Sequence, residues 1–151
     1  MTTMAINTTR FGELEFEQAD QVTFFSGIVG FPDLRQFVLI QHKEDSPYRW
    51  LQSTEDGAVA FLVVDPSAHV TGYAPQMPQT VAVQLGMNQE TPRLVYTIIT
   101  IPRGRPHEMT VNLAGPIVVN AETGQAVQVV LEDEAYAIRH RVFPEAAEAA
   151  A

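Results

Sequence analysis

Hydrophobic residues at every second position, in many short runs, indicate that this chain is built mainly of β-strands. Leu14 and Phe16 alternate with glutamates, a pattern typical of a strand with one face on a core and one in water. Phe37–Ile40 and Ala58–Val64 are continuously apolar and predict strands covered on both faces. The second run stops at Asp65-Pro66, because proline has no amide hydrogen with which to continue a strand ladder.

The second half of the chain continues the same pattern. Leu94–Ile101 is rich in β-branched residues, and Met109–Leu113 alternates apolar and polar positions. Ile117–Val119 and Ala126–Leu131 flank a Thr-Gly pair and predict a β-hairpin. A tight turn between strands is predicted at Gly27–Gly30, because glycine adopts the positive φ that such turns need.

Helical signals are scarce. Gln79–Leu85 lies between a proline and a glycine, as a short helix often does, but its valines also fit a strand, and both interpretations stay open. Many short strands without long helices predict a mainly β fold, a small antiparallel β-barrel or sandwich-like single domain over residues 1–143 with at most short helices. Residues 144–151 are an alanine-rich tail that we expect to be flexible.

Composition narrows the class of protein. A chain of 151 residues, 46% of them hydrophobic, has the size of one domain with one core. It contains no cysteine, which excludes disulfides, thiol nucleophiles and cysteine metal ligands. Residues 1–10 lack the apolar core of a signal peptide, and no apolar run approaches the length of a membrane span. We therefore expect a cytoplasmic protein that does not enter membranes.

The net charge of −9 argues against binding to nucleic acid or to anionic membrane surfaces. The sequence has a single lysine and dispersed arginines, whereas a protein that grips phosphates needs clustered basic residues. A basic protein partner would instead be attracted. The alternative is that the acidity serves only solubility.

No catalytic or metal-binding constellation stands out, and no cofactor is expected. The serines lack the strand-to-helix glycine context of a nucleophile elbow. The acidic groups Glu55-Asp56 and Glu132–Glu134 lack the glycine-centred spacing of a calcium loop, so they are either solvated turn charges or a protein-binding patch. The histidines are dispersed along the chain and are expected on the surface or in loops: His42, His69, His107 and His140.

Seven segments of this sequence form a combination that no single rule of secondary structure or packing would produce. They are Thr9–Phe16, Gly27–Phe31, Trp50–Ser53, Ala60–Pro66, Met109–Leu113, Pro116–Asn120 and Gln128–Leu131. Together they resemble the FliW family of flagellar assembly factors, over nearly the whole domain. Two positions depart from the family pattern, with Gly115 where alanine is usual and Ala126 where glycine is common. These departures concern the turn of the predicted hairpin.

The resemblance implies a β-barrel-like protein that is not an enzyme and binds two protein partners in turn. One is flagellin, held in the cytoplasm before export. The other is CsrA, a small basic homodimer that represses translation by covering ribosome-binding sites on messenger RNA. The freed factor is then expected to bind CsrA beside its RNA site and to relieve repression allosterically. For this chain we expect a monomer or weak dimer.

We expect partner contacts around the segment Trp50–Ser53, interpreted as a turn, with Trp50 as the anchor and the acidic residues as the source of charge. Trp50 as a core residue, and Asn112 and Asn120 as residues that hold turns, are the structural alternatives. Which surface takes which partner is left open. The full predicted contact set is Trp50, Gln52, Ser53, Glu55, Asp56, Asp65, Asn112, Glu132, Asp133 and Glu134.

Two other classes of protein compete with this hypothesis. A small β-barrel enzyme or ligand-binding module would bring its polar groups together only in the fold, in a deep pocket lined by histidines and an acid. A purely structural subunit would instead carry a symmetric apolar patch and form a stable homo-oligomer.

Overall fold

The computed structural model describes residues 3–41, 45–68, 70–75, 77–132 and 136–142. The predicted tail, two members of the predicted contact set (Asp133 and Glu134) and two histidines (His42 and His69) lie outside these residues. The described chain forms these elements: β1 (Thr3–Thr8), β2 (Gly12–Glu17), β3 (Gln21–Phe24), β4 (Gln36–Ile40), β5 (Tyr48–Ser53), β6 (Ala60–Val64), α1 (Gln79–Gln84), β7 (Arg93–Thr100), β8 (Thr110–Val111), β9 (Ile117–Asn120), β10 (Gln125–Gln128) and β11 (His140–Arg141).

Seven strands close into a β-barrel, which decides between the barrel and the sandwich that the sequence left open. The order is β3, β4, β5, β6, β7, β9 and β10, and β10 returns to β3 through a short parallel pairing. The long strand β7 makes this closure possible by changing partners along its length. Arg93–Tyr96 pairs with β9, the next two residues pair with β6, and the last two pair with β8.

The interior of the barrel is filled by alternate residues of the barrel strands, because successive side chains of a strand point to opposite faces. Phe24, Phe37, Leu51, Val63 and Ile117 are all buried there. The rings of the two phenylalanines meet edge to face with centroids 5.3 Å apart. Burial of aromatic and aliphatic side chains of this size supplies most of the driving force for folding.

Two smaller apolar clusters lie outside this central core. One joins Val64 and Ile99 to Val111 and Leu113. The other gathers Leu85 with residues of β9 and of the segment after β10, next to α1. These clusters attach the short helix and the C-terminal strands to the barrel.

The hairpin β1–β2 lies outside the barrel sheet. Its two strands pair antiparallel over six residues, from Thr3 opposite Glu17 to Thr8 opposite Gly12. A three-residue loop joins them, and Gly12 has a φ of +66°, a left-handed conformation that closes such loops and that glycine adopts without strain. This strand was not predicted, because Met4, Ala5 and Ile6 are consecutive apolar residues and do not alternate with polar ones.

Several sequence predictions are confirmed. The hairpin after Pro116 forms as β9 and β10, although β10 ends at Gln128. Gln79–Gln84 is helical, which decides between the helix and the strand that the sequence left open. At the predicted turn, Gly27 and Gly30 both have positive φ. In the part of the chain that the structure describes, no helix is long and apolar enough to cross a membrane.

Other predictions are wrong. Trp50–Ser53 is not a turn but the end of β5, paired with both β4 and β6. Met109–Leu113 is a strand only at Thr110–Val111, because the amide of Leu113 leaves the ladder and donates to the Ala137 carbonyl oxygen at 2.9 Å. Ala58 is exposed, so the run from Ala58 to Val64 is not covered throughout, and β6 begins at Ala60.

Candidate functional site

Trp50 lies half-buried on the outer face of β5, covered by the tip of the β1–β2 hairpin. The guanidinium carbon of the exposed residue Arg10 lies 4.0 Å from the centroid of the indole ring. Phe11 meets the same ring edge to face at 6.1 Å. A guanidinium over an indole is a favourable cation–π pair. Trp50 is therefore neither a barrel-core residue nor a bare surface anchor, since the hairpin tip covers it.

Gln52 has no exposed surface and organises the backbone below the hairpin tip. The two hydrogens on its Nε2 are shared among the carbonyl oxygens of Ser53, Gly57 and Val59, which lie 3.0, 3.3 and 3.1 Å from the nitrogen. Three carbonyl partners fix the orientation of the amide, because only its nitrogen can donate. Its Oε1 is buried without a hydrogen-bond partner among the described residues.

Ser53 is also fully buried, and it shapes the loop after β5. Its Oγ accepts hydrogen bonds from the amides of Glu55 and Asp56, at 3.1 and 3.0 Å. Gln52 and Ser53 were predicted to contact partners directly. In this structure both side chains lie inside the protein, so any effect on a partner would come through the loop that they hold.

Glu55 and Asp56 are exposed, as expected for charged residues in a turn. The carboxylate of each also accepts hydrogen bonds from the backbone. Glu55 Oε1 accepts from the amides of Arg35 and Gln36, at 2.7 and 2.8 Å, and so ties this loop to the start of β4. Asp56 Oδ1 accepts from the Ala58 amide at 3.0 Å. Each carboxylate keeps its second oxygen for solvent or for a partner.

Gly57 is the point at which the hairpin tip and the loop of residues 54–59 meet. Its carbonyl oxygen accepts from the Thr9 amide at 3.0 Å. A Cβ atom at position 57 would overlap the Asn7 carbonyl oxygen and lie 3.2 Å from Thr8 Cα. Only glycine allows two backbones to approach this closely. We call the region formed by the exposed residues Arg10, Glu55 and Asp56 and the half-buried Trp50 the tryptophan surface.

Asp65 belongs to a different part of the barrel. Its Oδ1 accepts from both the amide and the hydroxyl of Ser67, at 3.0 and 2.8 Å, just after β6 ends. It lines a largely apolar cavity of about 400 Å³ together with Tyr73, Arg93 and Leu131. Of the predicted acidic group at residues 132–134, the structure describes Glu132, which is exposed and follows Leu131 along the chain.

The two asparagines hold turns, as the structural alternative proposed. Asn112 Oδ1 accepts from the Ala114 amide at 3.0 Å. Asn120 is buried, and it accepts from the Glu122 amide and donates to the Leu85 carbonyl oxygen, at 2.9 and 2.8 Å. Both arrangements satisfy backbone groups that would otherwise be unpaired.

Tyrosines are the residues with displaced pKa values. Burial raises the pKa of Tyr73 to about 12, and the neighbouring Tyr136 adds to the shift. The Tyr73 hydroxyl donates to the Leu113 carbonyl oxygen at 2.6 Å. Burial also raises the pKa of Tyr96 and of Tyr48. Within the described residues, no group of three or more histidine or acidic side chains could hold a metal ion.

Sequence reasoning found the exposed acids of the tryptophan surface but missed Arg10, Phe11 and Gly57. The available signal was the loop Thr9–Phe11 followed by Gly12, which marks a hairpin tip. Nothing in the local sequence shows that this tip lies on β5, because the contact joins segments about forty residues apart in the chain.

Comparison with known proteins gives a consistent result. Residues 5–142 match the family model described as FliW protein. The chain is 41% identical over 143 residues to the flagellar assembly factor FliW of Desulfitobacterium hafniense, covering 95% of this chain and 93% of that protein. It is 37% identical over 142 residues to the flagellar assembly factor FliW of Moorella thermoacetica, covering 94% and 90%. A crystal structure of the flagellar assembly factor FliW matches with a TM-score of 0.85 at 33% identity, covering 94% of this chain and 99% of the other.

Proposed function

Because the chain belongs to the FliW family of flagellar assembly factors, we propose that it acts in the cytoplasm by binding flagellin and CsrA, and not by catalysis. While flagellin accumulates, it occupies the factor. After flagellin is exported, the free factor binds the CsrA homodimer and relieves its repression of flagellin translation. Family membership over nearly the full chain is the observation that carries this proposal.

The charge of the protein supports a basic partner. A net charge of −9 attracts a basic dimer and accelerates the encounter, and the attraction weakens as salt screens it. Docked beside an RNA-binding surface, the same charge would repel phosphates and lower the affinity for RNA. About 1.4 kcal/mol of such coupling changes RNA affinity tenfold. By thermodynamic reciprocity, RNA must weaken the binding of the factor to CsrA by the same factor.

The tryptophan surface is the contact region that we assign to CsrA. It places the exposed carboxylates of Glu55 and Asp56 on one loop, whose backbone is hydrogen-bonded to the buried side chains of Gln52 and Ser53. Preorganised charges lose little entropy on binding, which favours recognition by this loop. Asp65, Asn112 and Glu132 were also predicted to contact a partner, but they lie outside the tryptophan surface. Asn112 has the least support as a contact residue, because its side chain holds a turn.

The test neutralises the two carboxylates without disturbing the loop. In the variants Glu55→Gln and Asp56→Asn, the amide oxygen can still accept the backbone hydrogen bonds that the carboxylate accepts. Glu90→Gln is the matched control, since Glu90 is an exposed acid outside the tryptophan surface. Calorimetric titration with the CsrA dimer at two salt concentrations measures the effect.

We expect the double variant Glu55→Gln/Asp56→Asn to bind CsrA about two- to thirtyfold more weakly at low salt, because each of two exposed ion pairs contributes roughly 0.2–1 kcal/mol. The difference should shrink at high salt, and Glu90→Gln should bind like the unmodified protein. Equal affinity for the double variant and the control would refute the assignment to this surface. Absence of binding to both CsrA and flagellin would refute the proposed function itself.

A further inference from the structure

The β1–β2 hairpin leaves one strand edge free. β2 pairs with β1 along its whole length, and its other edge pairs with no strand of the described chain. At the end of β2, the Glu17 amide donates to Asp20 Oδ2 at 3.2 Å and so points away from β1. Outward-pointing backbone groups recur at every second residue of an antiparallel strand. Glu15 and Glu13 therefore also present their N–H and C=O groups on this free edge.

A groove of about 430 Å³ runs beside the free edge and is bordered by β4 on its far side. Leu14 and Phe16 of β2 line it together with Val38 and Ile40 of β4. Glu15 lines it too, although its side chain points to the opposite face from its neighbours, so its backbone borders the groove.

The groove lies beside the part of β4 that extends past its pairing with β3. The ladder between β3 and β4 stops at the pair Gln21–Val38. Beyond that pair, the second half of β4 has no β3 neighbour, and this part of β4 is the side that faces β2 across the groove. An open space next to a free strand edge has the shape that suits an added strand.

The charge around the groove is strongly acidic. The side chains of Glu13, Glu15 and Glu17 follow one face of β2, and Asp20 lines the groove at its end. The ion pairs seen among the described residues lie elsewhere, at Glu108. Among the residues that the structure describes, those that line the groove include no lysine or arginine. A segment that binds here would therefore need apolar side chains to pack on the lining of the groove and basic side chains to pair with the acidic residues beside it.

We propose that this groove binds an extended, basic segment of a partner protein, which adds to β2 as a third strand. Alternate side chains of the segment would pack on Leu14 and Phe16, and those between them, lysine or arginine, would face Glu13 and Glu15. A second copy of this chain does not fit, because its own glutamates would be brought opposite those of β2. A helix does not fit either, since it would leave the edge amides without partners.

The proposal specifies the conformation and chemistry of the bound segment, and it does not depend on the identity of the partner. Its test uses a peptide of alternating lysine and valine, Lys-Val-Lys-Val-Lys-Val-Lys with blocked ends, added to the full chain. The readout is amide hydrogen exchange followed by NMR. We expect exchange at Glu13 and Glu15 to slow at least tenfold at saturation, because those amides enter a ladder.

Two peptides of the same sequence are the matched probes, one N-methylated at the valines and the other at the lysines, so that each loses the backbone donors of one edge. Methylation removes backbone donors without changing charge or side chains, so we expect at least tenfold weaker binding when the methylated edge is the one that pairs. Unchanged exchange at Glu13 and Glu15, or equal affinity for both methylated forms and the unmodified peptide, would overturn the proposal.

Two variants test the edge and the charge separately. Glu15→Pro removes the backbone N–H of residue 15 that faces the free edge and leaves the pairing between β1 and β2 in place. Proline is tolerated at strand edges. We expect this variant to weaken peptide binding at least tenfold. Glu13→Gln/Glu15→Gln keeps the backbone intact and should weaken binding about two- to thirtyfold at low salt, because two exposed ion pairs are lost. Glu90→Gln should leave binding unchanged. Peptide binding that is unaffected in Glu13→Gln/Glu15→Gln would refute the role of charge.

Discussion

Replacement of Gly57 by alanine should detach the tip of the β1–β2 hairpin from the barrel. The added Cβ would overlap the Asn7 carbonyl oxygen and press on Thr8 Cα at 3.2 Å, so the two backbones must separate. Separation breaks the hydrogen bond from the Thr9 amide, which contributes about 1 kcal/mol. It also weakens the contacts of Arg10 and Phe11 with Trp50, each contributing roughly 0.5–1 kcal/mol.

The expected loss in the free energy of unfolding is therefore about 2–3 kcal/mol, the sum of these contributions. Urea unfolding followed by fluorescence measures it, and Trp50, the single tryptophan of the sequence, reports directly from the affected site. Its emission should shift to longer wavelength in the folded variant, because the ring loses its cover. Gly104→Ala is the control, since a Cβ there meets nothing within 4 Å.

At Gly104 the cost comes only from a φ of +74°, roughly 1–2 kcal/mol, and the emission of Trp50 should not change. The two variants thus separate steric overlap from backbone strain. If Gly57→Ala left both stability and emission like those of the unmodified protein, the close approach between the hairpin tip and the loop would not hold the tryptophan surface together.

Two further predictions follow from buried groups. Gln52→Glu should destabilise the fold more than Gln52→Met, because a carboxylate would face three carbonyl oxygens, whereas methionine only removes their donor; urea midpoints that fall in the reverse order would contradict this. Tyr73 has a pKa of about 12 in the folded protein and about 10 when unfolded, so its contribution to stability is complete below pH 10 and is lost as the pH rises toward 12. Tyr73→Phe should flatten that decline, measured as urea midpoints between pH 9 and 11, and an unchanged slope would refute the assignment.

Local signals predicted the elements whose formation depends on neighbouring residues. The β9–β10 hairpin follows from its turn, and the proline before Gln79–Gln84 and the glycine after it indicated the helix without excluding a strand. Trp50–Ser53 was misinterpreted as a turn, whereas the polar residues Gln52 and Ser53 occupy the buried end of a strand. Their polarity is satisfied by a loop that folds back over them, and sequence patterns do not show such contacts.

Closure of the barrel depends on contacts between distant parts of the chain. The parallel pairing of β10 with β3 joins residues about a hundred positions apart, and strand periodicity gives no information on which strands become neighbours. The candidate site could be predicted only in part for the same reason, because it too depends on contacts between distant parts of the chain. Glu55 and Asp56 were predicted correctly as exposed, but the cover that Arg10 and Phe11 give to Trp50 exists only after the hairpin has packed.

The central claim is that an acidic FliW-family barrel regulates by binding proteins. Calorimetric titration of the purified protein with the CsrA dimer, at low and high salt and with and without flagellin, tests it most directly. We predict binding to CsrA that weakens with salt and is reduced when flagellin is already bound. Absence of binding to CsrA and to flagellin at low salt would contradict the claim.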